Sequence, residues 1–195
     1  MRPSFWPVVT FLMFLYLPKK RATIASVLGA MLLLPVRAKF DFPGVPPLDK
    51  TSIANLSLLI CAVSTLGRGC VRLPKSNFLR FALIAYVASP FFTALTNSDP
   101  IILSSRAIAG MTLYDAVSTC AGQVLTVIPF IIGYNVLGDE PGHQQLVRAL
   151  AVAGLVYSVP MLIEIRLSPQ FHNWVYGYFP HSFVQQMRGS GFRPV

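Results

Sequence analysis

The sequence predicts an all-α fold, a polytopic transmembrane helical bundle of about six spans, on three observations. Only 12% of the 195 residues are charged and 54% are hydrophobic, giving a mean hydropathy of +0.59. A soluble domain of this size carries about 25% charged residues, so the deficit points to a membrane. The apolar residues are gathered into runs, and the basic residues fall in short clusters between the runs, which is how membrane topology is encoded. The formal net charge of +9 does not make nucleic acid an expected partner. A nucleic-acid-binding domain collects Lys and Arg on one soluble face, and here they are interleaved with apolar segments.

The first run, 4–18, reads SFWPVVTFLMFLYLP. It is short against the roughly 17 to 25 residues that a span needs. A secretory signal is the competing reading, but the basic cluster Lys19, Lys20, Arg21 follows the run instead of preceding it, and no small-residue cleavage site comes after. The second run, 22–36, completes a helical hairpin pinned at its basic turn. Pro43, Gly44, Pro46 and Pro47 then forbid a regular helix and predict a loop. Asp49 stands where the third run, 51–67, begins, and an acid there favours a helix N-terminus. A basic loop with Arg68, Arg72 and Lys75 leads to the fourth run, 78–95. Pro90 lies inside that run, as a kink tolerated when a neighbour satisfies the carbonyl it frees. Ile108, Met111 and Asp115 fall at helical spacing, so a partly interfacial helix is expected to run into the fifth span, 116–137. GDEPGHQ reads as a short loop before the sixth span, 145–163. The expected division is therefore a transmembrane region, 1–164, and an outer-face segment, 165–195.

Topology puts Lys19, Lys20, Arg21, Arg68, Arg72, Lys75, Arg80 and Arg148 inside. The outside holds as many basic residues, so the assignment rests on the higher density of the shorter inside loops. The three cysteines, Cys61, Cys70 and Cys120, form no CxxC and imply neither a disulfide framework nor a zinc site. They read as small buried hydrophobes. There is no Walker loop, GxSxG or HExxH, and the loops are too short to hold a nucleotide-sugar domain.

Chemistry concentrates in the last segment. Arg166, Arg188 and Arg193 each offer a planar fork of donors that suits phosphate oxygens; contact with anionic lipid headgroups is the plainer use. His172 and His181 are candidate bases toward a hydroxyl, because imidazole titrates near neutrality, although a histidine among aromatics is more often structural. Trp174, Tyr176, Tyr178, Phe179 and Phe183 form an aromatic belt whose ordinary role is interfacial anchoring. Glu164 and Arg166, two apart, point to nearly opposite sides of one helix, so Glu164 is expected to meet another helix.

The stretch EIRLSPQFHNWVYGYFPHSFVQQMRGSGFRP, 164–194, resembles a segment of the O-antigen ligase/polymerase-like membrane proteins. More narrowly it is similar to a branch of exopolysaccharide polymerases with an E-[IR]-R-x-SPQ-x-H-x-W-x-YGY pattern. PGVPPLDKTSIANLSLL and VIPFIIGYNVLGD resemble the same branch. The resemblance implies a larger bundle in the bacterial inner membrane, with its catalytic loops on the periplasmic side and this chain as its N-terminal portion. It implies transfer of a glycan from an undecaprenyl-pyrophosphate donor to an acceptor hydroxyl, without cofactor or metal, alongside other polysaccharide-assembly proteins. The positions matching its arginine motif are Arg166, Arg188 and Arg193; His172 and His181 lie in the same stretch, and either is open as the base. A non-catalytic scaffold or export-complex subunit with an anchoring tail is the alternative.

Overall fold

The computed structural model describes residues 5–35, 39–40, 48–103, 106–167, 170–178, 187–188 and 191–192. The architecture is helical. In order come α1 (Trp6–Tyr16), α2 (Lys19–Leu33), α3 (Lys50–Leu66), α4 (Asn77–Thr96), α5 (Leu113–Val136), α6 (Glu140–Leu167) and α7 (Gln170–Tyr176). Two- and three-residue antiparallel pairs join 39–40 to 48–49, 101–103 to 106–108, and 187–188 to 191–192.

Three helices, α4, α5 and α6, are long and apolar enough to cross a membrane. At a rise of about 1.5 Å per residue they reach ~30, ~36 and ~42 Å, against a hydrocarbon core of ~30 Å. The 11, 15 and 17 residues of α1, α2 and α3 give only ~16, ~22 and ~26 Å. All six apolar runs are thus helical, but only three match a bilayer in length.

Local chemistry sets the helix ends. Asp49 accepts from the Ser52 backbone N–H at 2.7 Å and caps α3, as its position predicts. Gly67 ends that helix at φ 77 and ψ 177, backbone that side chains of L-residues avoid. The interfacial helix expected before the fifth span is not there: 101–108 pairs as a short hairpin, and the helix starts at Leu113. The reason is a reciprocal cap. Thr112 Oγ1 accepts from the Asp115 N–H while the Asp115 carboxylate accepts from the Thr112 N–H at 2.9 Å. The loop expected at GDEPGHQ is also shorter. Asp139 Oδ1 accepts from the Gly142 N–H at 3.1 Å, and α6 begins at Glu140 with Pro141 in its first turn, where a missing N–H costs nothing.

Two small cores hold the helices together. One gathers Phe14, Ala22, Leu58, Cys61, Cys70 and Ile132 from α1, α2, α3, the 3-10 turn Arg68–Val71 and α5. The other gathers Trp6, Ala30, Leu34 and Ala54 toward the opposite ends of α1, α2 and α3. The three cysteines are free and buried, as expected. Outside these cores the helices present apolar side chains outward, among them Phe78, Phe81, Leu95, Leu155 and Leu162. Apolar surface of this extent belongs against lipid or protein, not water.

Two proline-freed carbonyls are answered across helices. Pro90 cannot donate to Tyr86 O, and the Gln123 amide of α5, with its nitrogen turned toward α4, donates to that oxygen at 2.7 Å and to Val87 O at 3.3 Å. Pro129 cannot donate to Leu125 O, and Asn55 Nδ2 of α3 does so at 2.9 Å. Each amide replaces a backbone bond that an apolar surrounding would otherwise leave unmade.

Candidate functional site

The helix termini sort into two ends. Lys20 Nζ pairs with Asp139, joining the start of α2 to the start of α6. Asn135 Nδ2 donates to Cys70 O at 3.2 Å and Arg72 O at 2.8 Å, joining the end of α5 to the turn after α3. The basic residues at 19–21, 68–75 and 80 therefore gather at one end, with Arg148 two turns into α6. At the other end Tyr176 Oη donates to Leu33 O at 3.0 Å and lays α7 across the last turn of α2. Leu33 ends its helix with an unpaired carbonyl, and the phenol supplies the donor.

Between α2 and α6 runs an open, mostly apolar groove of about 870 Å³, capped by α7. Arg21, Gln145 and Arg148 line its basic end, and Glu164, His172 and Tyr176 its far end. Among the described residues Lys20–Asp139 is the one ion pair, so Arg21, Arg148 and Glu164 have no ionic partner there. The Lys20 hydrogen bond, outweighing the slight desolvation, holds the Asp139 carboxyl below the usual carboxylate range.

His172 is the best-placed candidate from the sequence. Its Nδ1 lies 2.9 Å from Tyr178 O. A carbonyl only accepts, so Nδ1 carries the hydrogen, and a neutral ring then presents Nε2 as an acceptor. The ring also packs against Tyr176 and Tyr178, with centroids 4.7 and 5.0 Å away. Burial raises the Tyr176 hydroxyl above its ordinary range, and the neighbouring Tyr157 and Tyr178 add to the shift. Tyr176 stays a neutral donor to Leu33.

The other candidates are less gathered. Arg166 is exposed in the last turn of α6 and does not line the groove. Arg188 sits in the 187–188 strand, its backbone opposite Gly191. His181 and Arg193 lie outside the described residues, as do Phe179 and Phe183. Trp174 is exposed, in keeping with an interfacial anchor, whereas Tyr176 is tied into the fold. Among the described residues no His, Cys, Asp and Glu cluster could hold a metal ion.

No known protein family, curated protein or solved structure matches the chain. Its functional reading therefore rests on the residues themselves. Sequence reasoning missed Arg21, Gln145, Arg148 and Tyr157 as groove residues. The available signal was Gln145 and Arg148, one turn apart within an otherwise apolar run.

Proposed function

We propose that this chain acts as a multi-pass glycan polymerase or ligase of the bacterial inner membrane. The reaction transfers an undecaprenyl-pyrophosphate-linked oligosaccharide to an acceptor hydroxyl during surface polysaccharide assembly. The observation that supports it is His172, whose Nδ1 is committed to Tyr178 O and whose Nε2 is left to accept a proton. His172 also stands at the opposite end of the groove from Arg21 and Arg148, on the face the topology assigns to the outside.

In this reading His172 or His181 takes the proton of the attacking hydroxyl as the new glycosidic bond forms. Arg166, Arg188 and Arg193 hold the departing pyrophosphate, which keeps its charge on the lipid. A guanidinium fork spans two phosphate oxygens where an ammonium meets them as a point charge. Arg193→Lys is therefore expected to lose polymer about as badly as Arg193→Ala, scored as polysaccharide chain length in a complemented deletion strain. Full polymer yield from Arg193→Ala would sink the pyrophosphate role. The scaffold alternative is separated by Trp174→Phe combined with Arg166→Lys, Arg188→Lys and Arg193→Lys, which leaves the Tyr176 bond to Leu33 O intact. An anchoring tail tolerates that set, because amphipathic bulk and charge survive; a pyrophosphate site does not.

A further inference from the structure

Each of the three long apolar helices carries an internal proline: Pro90 in α4, Pro129 in α5 and Pro160 in α6. Each proline withdraws the N–H from the carbonyl four residues earlier. Tyr86 O receives the Gln123 amide and also the Ser89 hydroxyl at 2.8 Å, and Leu125 O receives the Asn55 amide. The third freed carbonyl is Val156 O, and among the described residues no side chain donates to it. The nearby Ser158 hydroxyl goes to Leu155 O instead. Val156 and Pro160 both line the α2–α6 groove, and no residue of the 18-residue apolar stretch of α6 is buried. A backbone carbonyl left unmet in an apolar surrounding is strongly disfavoured.

We infer that the groove seats a partner transmembrane helix that carries an Asn or Gln at mid-height, whose carboxamide donates to Val156 O. Two internal examples show this protein's own solution to a proline-freed carbonyl: an amide from the adjacent helix. Charge complementarity fixes the rest of the partner. Arg21 and Arg148 at one end ask for an acid, and Glu164 at the other asks for a base. A lipid would satisfy the arginines through its phosphate, but its acyl chain offers no donor to Val156 O and its headgroup cannot reach Glu164 as well. His172 at the far end of the groove serves the proposed transfer, but Val156 and Pro160 do not, so this inference stands whether or not that reading holds.

The test places the photo-crosslinking residue p-benzoylphenylalanine at Val152, on the groove wall, in the full chain in its native membrane. Irradiation is expected to join position 152 to a polypeptide segment that tandem mass spectrometry finds to contain Asn or Gln within about one turn of the junction. Pro160→Ala restores the backbone N–H to Val156 O, and the crosslink yield is expected to fall about threefold or more, from the size of interhelical hydrogen bonds in membranes. Changing the captured Asn or Gln to Leu is expected to lower it as much. Pro90→Ala, whose carbonyl already has its donors, controls for helix stiffening and is expected to leave the yield unchanged. Lipid adducts alone overturn the inference. So does a polypeptide adduct indifferent to Pro160→Ala, or one equally reduced by Pro90→Ala.

Discussion

Asn55 is buried in α3 with its Nδ2 aimed at a backbone oxygen of another helix, an arrangement that only Pro129 makes necessary. Asn55→Leu is expected to destabilise the protein by about 0.6–2 kcal/mol, the range of such bonds in membranes. The same change in a Pro129→Ala background is expected to cost less, since the backbone N–H restored by that substitution donates to Leu125 O itself. Denaturation in detergent, read as a double-mutant cycle, measures the difference. Equal costs in both backgrounds would disconnect the amide from the proline. At Asp139 the sign of the pH effect follows from its depressed titration. The Lys20 pair contributes fully above the unfolded carboxylate's pKa of about 3.9 and is lost as pH falls through the lower folded value. The gap in thermal midpoint between wild type and Asp139→Asn is therefore expected to be constant near neutrality and to close in acid. Because both side chains are substantially exposed, the gap is small throughout. The need for a donor at Pro90 is legible in the sequence, whereas the identity of that donor is not. Gln123 lies 37 residues from Tyr86, and only the packing of α4 along α5 brings them together.

At the scale of elements, every apolar run becomes a helix because burial and lipid contact reward the same composition, and the ends are where reading and structure part. Asp49 is readable as a cap because an acid before an apolar run has one ordinary use. Thr112–Asp115 is the same kind of signal, and the helical spacing of Ile108 and Met111 hides it: two apolar positions three apart are too few to fix a helix, and Ile108 pairs with Ile101 in a strand instead. The close packing of α1 on α2 is not legible at all. It depends on Gly29, where a Cβ would stand 2.9 Å from the Trp6 ring. Gly29→Leu is expected to destabilise the fold by about 1–3 kcal/mol through overpacking, while Gly122→Leu, at a position open to its surroundings, is expected to cost less. Thermal unfolding in detergent compares the two. Of the candidate site, His172 is found by residue type, but its fixed tautomer comes from Tyr178 O across the Gly177 turn, where φ is 78.

At the scale of the molecule, three helices suited to a bilayer, an apolar exterior and a basic end make this a membrane protein. The basic clusters at 19–21 and 68–75 meet at one end because α2, α3, α5 and α6 run alternately between the two ends of the bundle. That alternation is the physical content of the topology read from the sequence, and the proposed function depends on it: the donor segment must face the side opposite the basic loops. The most direct measurement labels single cysteines in intact cells with a membrane-impermeant maleimide, after Cys61, Cys70 and Cys120 are changed to Ala. Trp174→Cys is expected to react from outside, and Lys75→Cys only once the membrane is opened. Reaction of both from the same side would contradict the account.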